Sequence, residues 1–360
     1  MSEGKKIKRI VVKIGSSLFC SADNTIDLSI LGAIVREQII RLMDSGTEVC
    51  VVSSGAIALG MNTLGLSERP AKLPELQACA AVGQNALMNA FQKSMDKGFH
   101  CAQVLLTWED FTDRDRWINA RNTLNTLMRA GQYAGKRVIP VINENDTVST
   151  NEIRFGDNDQ LSARVACLVS ADLLVLLSDV DGLLDRDKAV VRIVEKITPE
   201  LRQLAAPTGK KTSVGGMVTK LDAVKIASDA GIPSVIANGR RKGVILSAFT
   251  EPERAGTYFC PGNKCLAERQ RWIAFGTKRK GTVSIDDGAK KALCDGKSLL
   301  SVGVVGVKGD FSAGDIVSVA GTNASSFAVG KVALSSKELG EVKGKRFARE
   351  IIHRNDIVII

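Results

Sequence analysis

Residues 11–17 read VVKIGSS, an apolar run that contains Lys13 and passes at once into a glycine and two hydroxyl side chains. Similar apolar runs recur as far as residue 240, and between them apolar residues repeat at helical spacing. Continuous apolar strands that alternate with amphipathic helices are typical of a mostly parallel sheet sandwiched by helices, an α/β fold. Ligands of such sheets bind at the carboxyl ends of the strands, which is where Lys13 is expected.

The texture of the chain changes after about Thr250. Before it, strands are predicted at Ile7–Ile14, Val49–Val52, Ala102–Leu106, Arg137–Ile142, Leu173–Leu177 and Ser234–Ala237, and helices at Leu28–Met43, Leu76–Met95, Ile118–Met128, Leu161–Val169 and Leu221–Asp229. Pro252, Gly256 and Pro261 indicate a linker-like stretch. Short, glycine-punctuated β-rich segments follow, which predicts a small C-terminal β-barrel-like domain. We therefore predict two domains, 1–262 and 263–360.

Composition excludes several classes of protein. The chain has 360 residues, 44% of them apolar and 24% charged, as in ordinary globular proteins, and it has no apolar run long enough for a membrane span. The N-terminus lacks the pattern of a signal peptide, so a cytoplasmic protein is expected. Eight scattered cysteines without a CxxC pair, and two histidines, predict buried reduced thiols rather than a zinc site or disulfide framework. The net charge of +10 fits an anionic partner or a solvated basic face.

Polar clusters follow the predicted strands. They read VVKIGSS (11–17), VVSSGAIALG (51–60), PVINEND (140–146) with GDND (156–159), LLSDVDG (176–182) and GGMVTK (215–220). Glycine turns and helix N-termini offer N–H groups to phosphates and carboxylates, and acids and amides can hold an ammonium group or align lysines. Taken singly, each cluster also fits an ordinary turn, helix cap or polar loop.

Taken together, the clusters supply lysines, glycine turns, acids and amides, and no histidine. Phosphoryl transfer needs positioning and charge neutralisation more than acid–base groups, so this composition favours it. Acyl transfer by a serine–histidine pair would need His100 or His353, and neither lies in a cluster. The chain has no GxxxxGK[ST] segment, so the signal does not come from a P-loop.

The same segments, with FGDNDQLSA and GGMVTKLDAV, resemble the amino acid kinase family through about residues 8–255, in the combination found in its glutamate-phosphorylating members. RWIAFGTKRKGTVSIDDGAKKAL and GDFSAGDIVSV are similar to a PUA domain, so the resemblance covers almost the full chain. It implies the amino acid kinase fold followed by a PUA domain. One departure is Val214, where the family often has a glycine.

The resemblance also implies roles for particular residues. Lys13 and Lys220 correspond to the two lysines that contact the transferring phosphoryl group, and Asp159 to the acid that aligns them. The glutamate-binding positions correspond to Ser54, Asp146 and Asn158. The ATP-binding positions correspond to Lys13, Ser178, Asp179, Val214, Gly215, Gly216, Met217, Val218, Thr219 and Lys220.

The activity that the resemblance implies is transfer of the γ-phosphate of ATP, with Mg²⁺, to the γ-carboxylate of L-glutamate, the first step of proline biosynthesis. Inhibition by proline and a homo-oligomer, dimer or tetramer, are implied too, while hand-off of the product to glutamyl phosphate reductase is left open. Another carboxylate, carbamate or nucleotide kinase of the same fold is an alternative. RNA binding by the PUA domain is a second, disfavoured because Phe275, Phe311, Phe327 and Phe347 are scattered.

Overall fold

A computed structural model describes residues 7–21, 23–149, 158–205, 216–262, 270, 272–276, 279–322 and 325–359. The chain divides into two compact units, which are described separately below. The first comprises Met1–Asp110 and Ile118–Lys264, and the second Phe111–Trp117 and Cys265–Ile360. The domain boundary between residues 262 and 263 stays a prediction.

An eight-stranded sheet forms the centre of the first unit, in the order β3-β4-β2-β1-β5-β7-β8-β6. The strands are β1 (Arg9–Ile14), β2 (Glu48–Ser53), β3 (Phe99–Leu106), β4 (Arg137–Glu144), β5 (Leu173–Ser178), β6 (Ile193–Val194), β7 (Ser234–Asn238) and β8 (Thr257–Phe259). All neighbours pair in parallel except β7 and β8, which are antiparallel. The mostly parallel sheet is therefore confirmed.

Helices cover both faces of this sheet. The helices as far as residue 255 are α1 (Ser16–Phe19), α2 (Leu28–Ile34), a π-helical turn (Val35–Ile39), α3 (Ile40–Asp44), α4 (Ala56–Thr63), α5 (Leu73–Lys93), α6 (Trp108–Thr112), α7 (Arg114–Met128), α8 (Ala130–Tyr133), α9 (Asn158–Val169), α10 (Pro199–Leu204), α11 (Met217–Asp229), α12 (Val244–Thr250) and α13 (Pro252–Ala255). Residues 111–117, which lie in and between α6 and α7, belong to the second unit. Alternate side chains of β1 point to opposite faces, so that Ile10, Val12 and Ile14 join the core beneath α2, α5 and α12. The opposite face packs against α9.

Strand register brings the predicted polar clusters to one edge. Ile14 of β1 lies opposite both Ser53 of β2 and Leu177 of β5. Because these strands are parallel, the residues that follow them emerge side by side. Lys13, the segment after Ser53 and the segment after Leu177 therefore share one end of the sheet.

The linker-like interpretation of the stretch after Thr250 was wrong for residues 252–259. Pro252 occupies the first turn of α13, where its missing N–H is not needed, and Thr257–Phe259 is a strand of the large sheet. A Cβ on Gly256 would stand 2.1 Å from the carbonyl oxygen of Ile236, so glycine here permits close approach to β7. Pro252 and Gly256, which were interpreted as parts of a linker, therefore belong to the packed fold.

A five-stranded sheet forms the second unit, in the order β10-β9-β11-β12-β13. Its strands are β9 (Gly281–Ile285), β10 (Val304–Gly309), β11 (Ile316–Ala320), β12 (Ser326–Lys331) and β13 (Ile357–Ile359), accompanied by the helices α14 (Asp287–Cys294) and α15 (Ser336–Val342). Only the β9–β11 pair is parallel. Phe311 is buried and Phe327 packs against the core, while Phe347 is exposed. Phe311 and Phe327 are thus used for packing.

The described cysteines are all free thiols, and Cys50, Cys79 and Cys167 are buried as expected. Burial raises the pKa of the Cys20 thiol to about 12. Cys294 is exposed, contrary to the general expectation of burial. Within the described residues, the helices lack the combination of length and apolar character that crossing a membrane requires.

Candidate active site

One cavity of about 190 Å³ lies at the carboxyl end of the central strands. Eight of the predicted site residues line it: Lys13, Ser54, Asp146, Asn158, Asp159, Ser178, Asp179 and Lys220. They come from separate parts of the chain, which the parallel register and the following helices bring together. The cavity therefore collects the side chains that sequence reasoning assigned to both halves of a phosphoryl transfer.

A carboxylate held between two ammonium groups forms the floor of the site. Asp159 Oδ1 lies 2.7 Å from Lys13 Nζ, and Asp159 Oδ2 lies 3.1 Å from Lys220 Nζ. The side chains of Asp159, Lys13 and Lys220 are 2%, 10% and 7% exposed, respectively. We call Lys13, Asp159 and Lys220 the lysine trio. Its net charge is +1, in a place with little water to screen it, which suits an anionic ligand.

The charge state of Asp159 follows from its neighbours. Burial raises the pKa of this carboxyl, but the charges and hydrogen bonds of Lys13 and Lys220 outweigh that effect, so the pKa lies below its ordinary value. Asp159 also stands in the first turn of α9, where a helix favours a negative charge. The carboxylate therefore stays ionised and fixes both lysines near neutral pH.

A glycine turn shapes the wall formed after β2. Gly55 has a φ of +113°, which glycine adopts without strain, and α4 begins directly after it. The backbone N–H of Ser16 donates to Ser54 Oγ over 3.1 Å. Since the hydroxyl oxygen already accepts that bond, its own proton is suited to a carboxylate. The first N–H groups of α4 lie beside it and offer further donors.

Asn158 lines the cavity, and its hydrogen bonds determine which of its polar atoms is left for a ligand. Its Nδ2 donates to the carbonyl oxygen of Ser53 over 2.7 Å and to Asn143 Oδ1 over 2.9 Å. An amide nitrogen carries two hydrogens, so both are used. The remaining polar atom, Oδ1, is an acceptor, which suits an ammonium group.

Asp146 stands in the loop after β4 with Arg69 in the same cavity. Burial raises the pKa of the Asp146 carboxyl to about 6, although the charge of Arg69 opposes the shift. A carboxyl of this kind is ionised at neutral pH and gains from a cationic partner, because the partner offsets the cost of its burial. The Asp146 carboxylate thus offers a cationic ligand a second acceptor besides Asn158 Oδ1.

The remaining predicted positions lie at the end of β5 and at the start of α11. Ser178 ends β5 and its hydroxyl donates to Asp179 Oδ1 over 3.1 Å. Gly216 caps α11, whose first turn carries Met217, Val218, Thr219 and Lys220. Thr219 Oγ1 lies 3.2 Å from Asp159 Oδ2 and 2.9 Å from the carbonyl oxygen of Gly216. The predicted positions Val214 and Gly215 lie outside the described residues.

The cavity also contains residues to which no role was assigned from sequence. They are Gly15, Ser16, Ser17, Gly55, Ala56, Ile57, Ala58, Arg69, Asn143, Glu144 and Leu177. All of them except Arg69 belong to segments that the sequence did single out. Arg69 stands in a loop between two helices, where no periodic pattern marks it, so its place could not be read from the sequence.

The donor set bears on where a metal ion could sit. Among the described residues, no three histidine, cysteine or acidic side chains cluster to hold a metal ion. The two lysines beside Asp159 further disfavour a cation at that carboxylate. Asp159 is thus suited to binding the two ammonium groups rather than a metal ion.

Comparison with known proteins agrees with this geometry. The model of the amino acid kinase family matches residues 8–238. The chain belongs to the amino acid kinase family. A PUA domain model matches residues 281–354, within the second unit. The family assignment confirms both the α/β fold and the C-terminal PUA domain expected from the sequence.

Curated relatives in the amino acid kinase family match over nearly the whole chain. The glutamate 5-kinase of Geobacter sulfurreducens is 42% identical, covering 99% of this chain and 98% of that protein. The glutamate 5-kinase of Carboxydothermus hydrogenoformans is 44% identical with the same coverage. Among solved structures, carbamate kinase from Giardia lamblia bound to AMP-PNP is 18% identical with a TM-score of 0.45, covering 72% of this chain and all of that one. That structural likeness is too weak to inform the site.

Proposed function

We propose that this chain is an ATP-dependent glutamate 5-kinase, which transfers the γ-phosphate of ATP to the γ-carboxylate of L-glutamate and yields L-glutamyl 5-phosphate and ADP. One observation carries the proposal: Asp159 binds both Lys13 and Lys220, while Asn158, the preceding residue, faces the same cavity beside Ser54 and Asp146. A phosphate-neutralising trio thus adjoins groups suited to an amino acid. The curated glutamate 5-kinases support the same substrate.

The phosphoryl half of the reaction rests on the lysine trio. The γ-carboxylate attacks the γ-phosphorus in line with the departing ADP, and Lys13 and Lys220 neutralise charge on the transferring phosphoryl oxygens. Asp159 aligns the two lysines and touches no reacting atom in this scheme. The acceptor is already ionised near neutral pH, because a glutamate side chain has a pKa of about 4.3, so no general base is required.

The glutamate half rests on complementary polarity. The Ser54 hydroxyl and the first N–H groups of α4 donate to the α-carboxylate. Asn158 Oδ1 and the Asp146 carboxylate accept from the α-ammonium group. This division follows from the hydrogen bonds already made by Ser54 and Asn158. It orients the substrate with its side-chain carboxylate toward the lysine trio.

On the nucleotide side, Ser178, Asp179 and the segment 214–220 hold ATP. The residues of that segment given this role are Val214, Gly215 and Gly216, followed by Met217, Val218, Thr219 and Lys220 in the first turn of α11. Mg²⁺ enters with ATP and neutralises charge on its phosphates. The two lysines that bind Asp159 support that route, because they disfavour a cation at this carboxylate.

Regulation, assembly and location follow from the same proposal. We expect proline to inhibit the enzyme, a homo-oligomer (dimer or tetramer), and a cytoplasmic site of action. Transfer of the labile acyl phosphate to a glutamyl phosphate reductase fits its chemistry. The PUA domain is assigned to regulation or assembly rather than RNA binding, because Phe311 and Phe327 are committed to packing.

An acceptor panel tests the proposed substrate. ATP consumption is measured with glutamate, aspartate, N-acetylglutamate, carbamate and UMP in turn, each with and without proline. Glutamate should give the highest kcat/KM, and proline should lower that rate. A higher kcat/KM with any other acceptor would overturn the assignment while leaving the phosphoryl chemistry in place.

A further inference from the structure

A chain of three amide side chains runs beneath the candidate active site. Asn158 Nδ2 donates to Asn143 Oδ1 over 2.9 Å, and Asn143 Nδ2 donates to Gln84 Oε1 over 2.9 Å. All three side chains are buried. Gln84 does not line the catalytic cavity; it lines a separate cavity of about 370 Å³ that shares Glu144 and Asp146 as a wall.

Two backbone groups fix the direction of this amide chain. The carbonyl oxygen of Ser53 can only accept, so Asn158 must turn Nδ2 toward it. The N–H of Glu144 can only donate, and it bonds to Asn143 Oδ1 over 2.9 Å. Asn143 is left with Nδ2 for its third neighbour, and Gln84 supplies the matching acceptor. The donors and acceptors of the three amide side chains are therefore mutually consistent.

Backbone packing explains how Gln84 reaches this position. Its neighbour Gly83 lies against the first turn of α4, where an added Cβ would stand 1.8 Å from the carbonyl oxygen of Ala56. Gly60 of α4 makes a similar approach to Cys79 of α5. The glycines let the two helices touch backbone to backbone, which brings Gln84 under the end of the sheet.

Stability alone does not account for a glutamine here. Among the described residues, Gln84 Nε2 has no hydrogen-bond partner although it is buried. A buried N–H without a partner destabilises a fold, so an apolar side chain of similar length would cost little. What such a side chain would lose is the acceptor for Asn143.

We propose that Gln84 is a positioning residue for the amino acid substrate. It holds Asn143, and Asn143 holds Asn158, so that Asn158 Oδ1 faces the cavity as the acceptor for the α-ammonium group. This inference rests on the proposed glutamate kinase activity. Without Gln84, Asn143 would carry a buried unpaired N–H and would rotate to satisfy it. Asn158 would then keep one of its two anchoring bonds and lose its fixed orientation.

The test compares two glutamines of the same helix. Gln84→Met removes the acceptor for Asn143. Gln92→Met is the matched control, since Gln92 bonds only to the backbone of Phe99 and Cys101, over 3.1 and 2.9 Å, away from the amide chain. Each variant is assayed for kcat, for KM with glutamate and with ATP, for relative turnover of glutarate, which lacks the ammonium group, and for thermal unfolding.

Gln84→Met should raise the KM for glutamate about tenfold, the loss expected for one disordered polar contact in ground-state binding, with kcat and the KM for ATP within about twofold. Its preference for glutamate over glutarate should fall, and its melting temperature should match or exceed that of the wild type. Gln92→Met should show the reverse: a lower melting temperature and an unchanged KM for glutamate.

An unchanged KM and an unchanged glutarate ratio in folded Gln84→Met would overturn the inference. Should that variant fail to fold, Gln84→Asn gives the same test, because it keeps an amide but shortens its reach by one methylene. A wild type without glutamate-dependent turnover would refute the proposed function itself, which the two glutamine variants cannot do.

Discussion

Strand β1 carries two clusters of the same charge pattern, one at each end. At its carboxyl end, Asp159 lies between Lys13 and Lys220. At its start, Glu48 lies between Arg9 and Arg129. We call the second cluster the arginine trio. Both place one carboxylate between two cations, so the charge pattern alone does not distinguish a catalytic site from a structural one.

Burial and the surrounding side chains distinguish the two clusters. Glu48 and Arg129 are 22% and 55% exposed, whereas Asp159 and Lys220 are 2% and 7% exposed. The Arg9 guanidinium donates to Glu48 and to the carbonyl oxygen of Val169. Lys13 and Lys220 hold Asp159 at the wall of a cavity that Ser54, Asp146 and Asn158 also line.

Cavity size alone would favour the end of β1 that carries the arginine trio. The cavity beside the arginine trio has a volume of about 600 Å³, against about 190 Å³ at the lysine trio. What the smaller cavity has is convergent chemistry: a donor at Ser54, an acceptor at Asn158 and a carboxyl at Asp146 whose pKa is raised by burial.

Removing a cation from each trio should separate them most strongly. Lys13→Ala or Lys220→Ala should lower kcat by about 10²–10³, because each removes a charge that stabilises the transferring phosphoryl group. Arg129→Ala, the matched change in the arginine trio, should leave kcat within about twofold. Steady-state kinetics on folded variants decides this, and equal losses at both ends would remove the distinction.

Neutralising the central carboxylates should produce unequal losses of stability. Asp159→Asn leaves two buried lysines without a counter-charge and should lower the free energy of unfolding by about 3 kcal/mol. Glu48→Gln affects a cluster open to water and should cost no more than about 1 kcal/mol. Urea denaturation measures both values. A larger loss in Glu48→Gln would mean that burial does not determine which trio contributes more to the free energy of unfolding.

The pH dependence should separate substrate binding from phosphoryl transfer. Asp146, with a pKa raised to about 6, becomes protonated as the pH falls through that value and then no longer attracts an ammonium group. The KM for glutamate should therefore rise about tenfold between pH 7 and pH 5. Because the pKa of Asp159 is lowered, the lysine trio keeps its charge and kcat should stay nearly constant.

Asp146→Asn is the control for this titration. It should have a raised KM for glutamate at pH 7 and should lose most of the rise between pH 7 and pH 5. A variant that retains the full pH dependence would assign the titration to another group.

Much of the fold could be predicted from sequence because its signals are local. The five apolar residues Leu173–Leu177 predict a strand, and β5 lies there. The helical spacing over Leu28–Met43 predicts a helix, and α2 and α3 lie there. The π-helical turn at Val35–Ile39 was not predicted, because the apolar residues keep their helical spacing through it. Strand β8 was missed because it has three residues between two glycine- and proline-containing segments.

The site residues likewise divide into those that the sequence could predict and those that only the three-dimensional structure reveals. Lys13 and Asp159 could be nominated because polar residues at strand and helix ends are unusual enough to notice. Arg69 could not, since its contribution depends on a loop folding over the cavity. Gln84 reads in sequence as one position of an amphipathic helix, and only three-dimensional contact with Asn143 gives it a role.

Trapping the product with hydroxylamine tests the central claim most directly. An acyl phosphate reacts with hydroxylamine to give a hydroxamate, whereas a phosphate ester or free phosphate does not. With glutamate and Mg-ATP, the wild type should form γ-glutamyl hydroxamate and ADP in equal amounts, and Lys220→Ala should form both at a rate lower by about 10²–10³. ADP release without hydroxamate, or full hydroxamate formation by Lys220→Ala, would contradict the proposed reaction at this site.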